Sequence, residues 1–203
     1  MTRPLHIDIV EVGPRDGLQN EAHHLSPSER IALIEKLADA GLNQIEAGSF
    51  VSPQWVPQMN GSDVILETLR DRNDLRLPVL VPNMMGYERA CGAGAREIAV
   101  FGAATETFSQ KNINCSIDES LQRFEAVCMQ ARSDNVRVRG YISCVLGCPY
   151  EGEVDPGSVA RIAQALMDMG CSDLSLGDTI GVGTADKARR LVEACAKHVG
   201  IEK

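Results

Sequence analysis

Residues 11–21, EVGPRDGLQNE, decide how the rest of the chain is read. They stand between an apolar run, HIDIV (6–10), and a marked helix start at Ser26-Pro27-Ser28-Glu29. Pro14 fixes its own φ, and Gly13 and Gly17 permit tight or left-handed backbone. The segment therefore reads as a shaped turn at the C-terminal end of a strand. It carries an adjacent cation and anion, Arg15 and Asp16, then Gln19, Asn20 and Glu21. An Arg-Asp pair in a turn is often only a solvated loop. The density of hydrogen-bonding side chains favours a site, because strand ends of alternating β/α folds are where ligands bind.

Outward from this turn the chain alternates strand and helix. Expected strands cover 6–12, 43–47, 76–81, 96–101, 136–145 and 172–176. Expected helices cover 27–40, 62–69, 84–91, 117–131, 156–170 and 184–198. Ser26 reads as an N-cap with Pro27 at the first helical position and Glu29 closing a capping box. Ile31, Ile34, Leu37 and Ala38 recur at helical spacing, and Gly41 closes that helix. Asp155-Pro156 repeats the cap-then-proline signal, and Gly170 ends its helix. After the second strand Gly48-Ser49-Phe50 is expected to turn away, and SFVSPQWVPQMNGSD, GAATETFSQKNINCS and LGCPYEGEV read as polar loops following strands.

Six βα units in strict alternation predict an α/β fold with a parallel sheet and right-handed crossovers. Polar loops after nearly every strand favour a TIM (β/α)8-type barrel over a doubly wound sheet, and the first strand–helix junction has no GxGxxG. A full barrel takes about 250 residues, so the 203 residues here are expected to form one partial barrel domain over 1–203.

Composition excludes several classes. The hydrophobic content of 44% and charged content of 24% are those of an ordinary globular chain. A net charge of -8 counts against nucleic acid and anionic membranes as partners. No apolar run is long enough to span a bilayer, and the N-terminus lacks a secretory h-region. Seven scattered cysteines suit a reducing, cytoplasmic compartment, and most of them are expected to be buried small residues. Glu46 is the anomaly among the strands. A carboxylate beside Ile45 and Ala47 either faces solvent, pairs with an arginine, or points into a polar site beside Arg15; the last is the reading adopted.

Five stretches carry a resemblance over nearly the whole chain: VGPRDGLQNE, IEAGSFVSPQWVPQM, FGAATETFSQKNIN, GYISCVLGCPYEG and LSLGDTIGVGT. Together they resemble the 3-hydroxy-3-methylglutaryl-CoA lyase family. The related condensing enzymes, of the isopropylmalate and homocitrate synthase type, usually carry an LRDGEQ-like form of the turn. The resemblance implies cleavage of 3-hydroxy-3-methylglutaryl-CoA to acetyl-CoA and acetoacetate with Mg2+ or Mn2+. It implies that Asp16 supplies a metal carboxylate, that Arg15 stabilises the enolate-like thioester oxygen, and that Glu46 supports them. It makes Gln19, Ser49, Tyr141, Ser175 and Thr179 lining positions, and places Lys111, Asn112 and Asn114 near the CoA moiety. An acyl-CoA substrate is implied, as is the family's tendency to homodimerise. The family's HxHD histidines, a later metal-binding asparagine and a loop cysteine have no counterpart here. The chain as given is therefore expected to be inactive, or to need the missing segment. A non-catalytic remnant binding CoA compounds or a partner is the reading from another class.

Overall fold

The computed structural model describes residues 7–202, which fall into two compact units. One comprises the described residues to Val81 with Met85–Glu97; the other comprises Pro82–Met84 and the described residues from Ile98.

In the first unit the expected opening strand is much shorter than its alternation suggested. His6 lies outside the described residues, and residues 7–10 form no ladder, with Ile7 and Ile9 largely exposed. Pairing begins at Glu11, which bridges Ile45 in parallel; Glu11 N–H donates to the Gln44 carbonyl (2.9 Å) and its carbonyl accepts from Glu46 N–H (2.8 Å). Alternation gives a segment β propensity, but only pairing makes it a strand. Gly13–Gly17 then form a single turn of π-helix rather than an open loop. Such turns are rare and often lie at functional sites.

Helix α1, Pro27–Asp39, starts as expected. Ser26 and Glu29 form the full capping box, with Ser26 N–H donating to Glu29 Oε2 at 2.8 Å. Gly41 follows with φ +98°, which glycine adopts without a Cβ clash. The second expected strand is displaced. Gln44 and Ile45 make isolated bridges, and the ladder proper is β1, Gly48–Ser49, at residues expected to turn away. It pairs in parallel with β2, Val79–Leu80. Helices α2, Ser62–Thr68, and α3, Met84–Gly92, sit close to their expected limits. Arg76 and Glu97 make a bidentate ion pair at 2.6–2.9 Å, tying the approach to β2 to the first residue of β3, Glu97–Ala103.

In the second unit the alternation continues as α4 (Glu106–Ile113), α5 (Ile117–Ser133), β4 (Arg137–Ser143), α6 (Pro156–Met169), β5 (Asp173–Leu176) and α7 (Ala185–Cys195). The helix α4 corrects the sequence reading, which made 102–116 a polar loop. Its residues are polar because half of that helix is exposed and only Ser109 is fully buried. Asn114 ends it at φ +52°, a left-handed position that asparagine tolerates better than most side chains. α5 carries a second capping box, Ser116 with Glu119.

Strands β4 and β5 run parallel with Tyr141 opposite Ser175 and Arg139 opposite Asp173. Along β4, Val138, Gly140 and Ile142 are buried, while the alternate residues are half-buried or exposed. The buried side faces α6: a Cβ on Gly140 would lie 3.0 Å from Leu166. Phe124, Val127, Ile98, Val100, Val159 and Ala163 complete this apolar layer. The opposite side carries Arg139, paired with Asp173, and, further along, Tyr141 and Ser175. A face covered by a helix is what the strands of an alternating β/α sheet share.

Candidate active site

The strongest constellation is built entirely within the first unit. The π turn brings Arg15 round to the end of the Glu11–Ile45 bridge, so its guanidinium meets the carboxylate of Glu46. Arg15 Nη2 lies 2.8 Å from Glu46 Oε2 and Arg15 Nη1 lies 2.7 Å from Asp16 Oδ1. The sequence expectation that Glu46 points towards Arg15 is met. Glu46 is completely buried, the Arg15 side chain is 9% exposed, and that of Asp16 is 55% exposed. Burial strengthens such pairs, because less water screens them. The result is a cation clamped between one buried and one accessible carboxylate. Local bonds support it. Glu11 Oε1 accepts from Gly13 N–H at 2.6 Å, and Asn20 donates its side-chain amide to the Asp16 carbonyl at 2.8 Å.

Two other expected site residues share this unit. Gln19 follows the turn and is half-buried. Ser49, at the end of β1, is buried; its hydroxyl donates to the Leu80 carbonyl (3.4 Å) and accepts from Val51 N–H (3.3 Å). Those bonds give Ser49 a structural task in shaping the strand end.

The remaining expected residues lie in the second unit. Tyr141 and Ser175 are register partners, so their side chains leave the sheet on the same side. Thr179 Oγ1 accepts from Cys144 N–H at 2.8 Å and so holds Cys144 at φ +61°. Lys111 and Asn112 lie exposed near the end of α4 and Asn114 caps it. Lys111 Nζ sits 4.8 Å from the centre of the Tyr150 ring, whose face attracts a cation. Burial pushes the Cys144 thiol up to about 11, leaving it protonated at neutral pH. Burial also opposes ionisation of Cys148. Hydrogen bonds from the Thr105 hydroxyl (3.1 Å) and from the backbone N–H groups of Tyr150 and Glu151 outweigh it and hold that thiol below its usual value.

As a metal centre this donor set is incomplete. Among the described residues no group of three or more His, Cys, Asp or Glu side chains is gathered to hold an ion. Magnesium-like ions take about six oxygens in octahedral array, commonly one or two carboxylates with water and substrate. Asp16, hard, anionic and accessible, fits as one of them; Glu46 is buried against Arg15.

Sequence reading missed Arg30 and Ser62. Arg30 is fully buried, and Ser62 links it to Ser49. One signal was available: Arg30 lies four residues before Ile34, on the same apolar side of α1.

Comparison with known proteins gives a consistent result. The HMGL-like family model matches residues 6–203. A 3-hydroxy-3-isohexenylglutaryl-CoA/hydroxy-methylglutaryl-CoA lyase of Pseudomonas aeruginosa is 55% identical over 203 residues, which are 100% of this chain and 68% of that protein. A cytoplasmic 3-hydroxy-3-methylglutaryl-CoA lyase of Danio rerio is 56% identical over 182 residues, covering 90% of this chain and 54% of the relative. The crystal structure of a hydroxymethylglutaryl-CoA lyase from Pseudomonas aeruginosa superimposes with a TM-score of 0.93 at 56% identity, over 97% of this chain and 65% of that one. This chain thus spans about two thirds of the length of these relatives, or less. The likeness establishes the α/β, partial TIM-barrel fold class.

Proposed function

This chain belongs to the HMGL-like family, and from that premise we propose that it carries the Arg15 half-site of a hydroxymethylglutaryl-CoA lyase. The reaction cleaves 3-hydroxy-3-methylglutaryl-CoA to acetyl-CoA and acetoacetate. The observation that supports this most directly is the Arg15 guanidinium clamped between Glu46 and Asp16.

The reaction breaks the bond between C2 and C3. The 3-hydroxyl loses its proton and its oxygen becomes the ketone of acetoacetate. The bonding pair moves to C2 and onto the thioester oxygen, giving an enolate that is protonated to acetyl-CoA. Arg15 stabilises that oxygen as charge develops, which lowers the barrier because the interaction is stronger in the transition state. Glu46 and Asp16 fix the guanidinium beforehand, so no reorganisation is needed at the moment of reaction. Gln19 and Ser49 are proposed as lining positions contributed by the first unit. Tyr141, Ser175 and Thr179 are proposed as further lining positions, and Lys111, Asn112 and Asn114 as contacts to the CoA moiety.

Enzymes of the family are metal-dependent. We take the ion to be Mg2+ or Mn2+, with Asp16 as the ligand this chain offers; such an ion acidifies a bound hydroxyl. The described residues alone do not complete its shell. An acyl-CoA substrate, a cytoplasmic setting and a homodimer belong to the same proposal. Among the described residues no helix is long and apolar enough to cross a membrane.

The test is turnover of 3-hydroxy-3-methylglutaryl-CoA by the intact protein. One relative is named for an isohexenyl homologue as well, so both thioesters should be assayed. Arg15→Ala is expected to lower kcat by about 100-fold or more, the scale of losing one oxyanion donor. Near-normal turnover in Arg15→Ala would remove the residue from the mechanism. Consumption of acetyl-CoA with an oxo acid, and no cleavage, would replace the lyase by a condensing enzyme.

A further inference from the structure

The proposed chemistry leaves unused the most buried cation among the described residues. Arg30 has no exposed surface. No carboxylate among the described residues is paired with it. Its oxygen contacts among the described residues are neutral: the carbonyls of Gln58 (3.4 Å), Asn60 (3.1 Å) and Ala47 (3.1 Å), and the Ser62 hydroxyl (3.3 Å). Met59 Sδ lies at 3.8 Å. Burial brings its pKa down to about 10, still well above neutrality, so the cation persists. An unpaired buried charge is costly, and an apolar side chain of similar volume would fill the space at lower cost.

The contacts of Arg30 bear on the backbone next to Glu46. Nη2 takes the carbonyl of Ala47, the residue after Glu46. The same nitrogen donates to Ser62 Oγ, which also accepts from Ser49 N–H (3.1 Å) and donates to the Met59 carbonyl (2.8 Å). One proton and two lone pairs of that hydroxyl are thereby all used. The two peptide groups flanking Gly48 are held, one by Arg30 directly and one through Ser62. Gly48 itself has no alternative: a Cβ there would lie 2.3 Å from Ser62 Oγ and 2.7 Å from Arg30 Nη2. Along its edges the segment is also paired: Glu46 N–H donates to the Glu11 carbonyl on one, and Ala47 N–H to the Pro78 carbonyl (2.9 Å) on the other. The segment from Glu46 to Ser49 is thus gripped by pairing to a neighbouring segment on each edge and, in addition, by Arg30 and Ser62.

We infer that Arg30 is a positioning residue: through the Ala47 carbonyl and Ser62 it sets the placement of Glu46, and hence of the Arg15 guanidinium. The functional part of this inference rests on the reading of Arg15 as the group at the reacting thioester.

The experiment uses Arg30→Lys and Ser62→Ala in the intact protein. Lysine keeps the charge but loses the planar fork. Two readouts are taken. One is kcat and KM with 3-hydroxy-3-methylglutaryl-CoA. The other, independent of activity, is the NMR signature of the Arg15 side-chain N–H groups and the Gly48 and Ser49 amides. Arg30→Lys is expected to move those resonances and to lower kcat about 10- to 100-fold with KM within about twofold, as a misplacement near 1 Å does. Ser62→Ala is expected to move the same resonances less. A folded Arg30→Lys with unchanged Arg15 resonances overturns the inference. So does a fall in kcat with those resonances unmoved. If Arg30→Lys does not fold, Ser62→Ala decides, and an unmoved Arg15 signature there overturns it. Should the unmodified protein show no lyase turnover while Arg30→Lys still moves the Arg15 signals, the positioning role stands and the lyase assignment falls.

Discussion

Glu46 shows how far a single residue can be read from its neighbours. A carboxylate within an apolar strand cannot stay buried without a cation, so its partner had to be close. The turn 11–21 offers one cation, and the structure joins them at 2.8 Å. Arg30 was not legible in the same way. An arginine in the first turn of a helix ordinarily lies in water, and its partners are carbonyls and a distant serine hydroxyl that no sequence pattern marks. The Arg15–Glu46 pair leads to a stability prediction. Glu46→Ala takes the buried carboxylate from beside Arg15 in a dry environment, and breaking a buried pair costs about 3 kcal/mol or more. Thermal denaturation should show a midpoint several degrees lower, and Glu46→Gln, which keeps the shape and one acceptor, should lose less. Equal stability of Glu46→Ala and the parent would mean that the pair contributes nothing to folding.

At the scale of elements, helix ends were the most legible feature because their signals are local. Ser26-Pro27 and Asp155-Pro156 start α1 and α6 as expected, and Gly170 closes α6 at φ +111°. Strand limits were less legible, since a ladder depends on a partner distant in sequence; hence the shift of pairing to Gly48–Ser49. The helix α4 was read as a loop because exposure made its composition polar. Asp155 carries a pH prediction. Hydrogen bonds from the N–H groups of Gly157 and Ser158, and from the Ser158 hydroxyl, hold its carboxyl below the ordinary range. The folded state therefore binds protons less readily than the unfolded one. The stabilisation is complete above the unfolded pKa and is lost as pH falls through the lower folded value. Asp155→Asn should flatten this part of the acid limb in thermal melts, while melts near neutral pH change less. An unchanged acid limb would show that the cap does not couple to proton uptake.

For the whole molecule, the alternation of strand and helix was enough to give the fold class, because few architectures accommodate it. The division of the described residues into two compact units was not visible, since no linker composition marks it. β5 pairs with β4 and stands at the end of the strand order, and each of its four residues is only half-buried. Exposed strand edges invite pairing with other chains. The 203-residue chain by itself is expected to associate as concentration rises, measurable by sedimentation. A monodisperse monomer across a wide concentration range would count against this.

Trp55, the sole tryptophan, stands 86% exposed in the segment that follows β1. Indole emission from this protein therefore originates from one water-facing ring rather than from the interior. It is a poor gauge of global unfolding, since that ring starts out wet. It is a sensitive one for anything that settles over residues 51–58: covering the ring would shift its light to the blue and shield it from iodide.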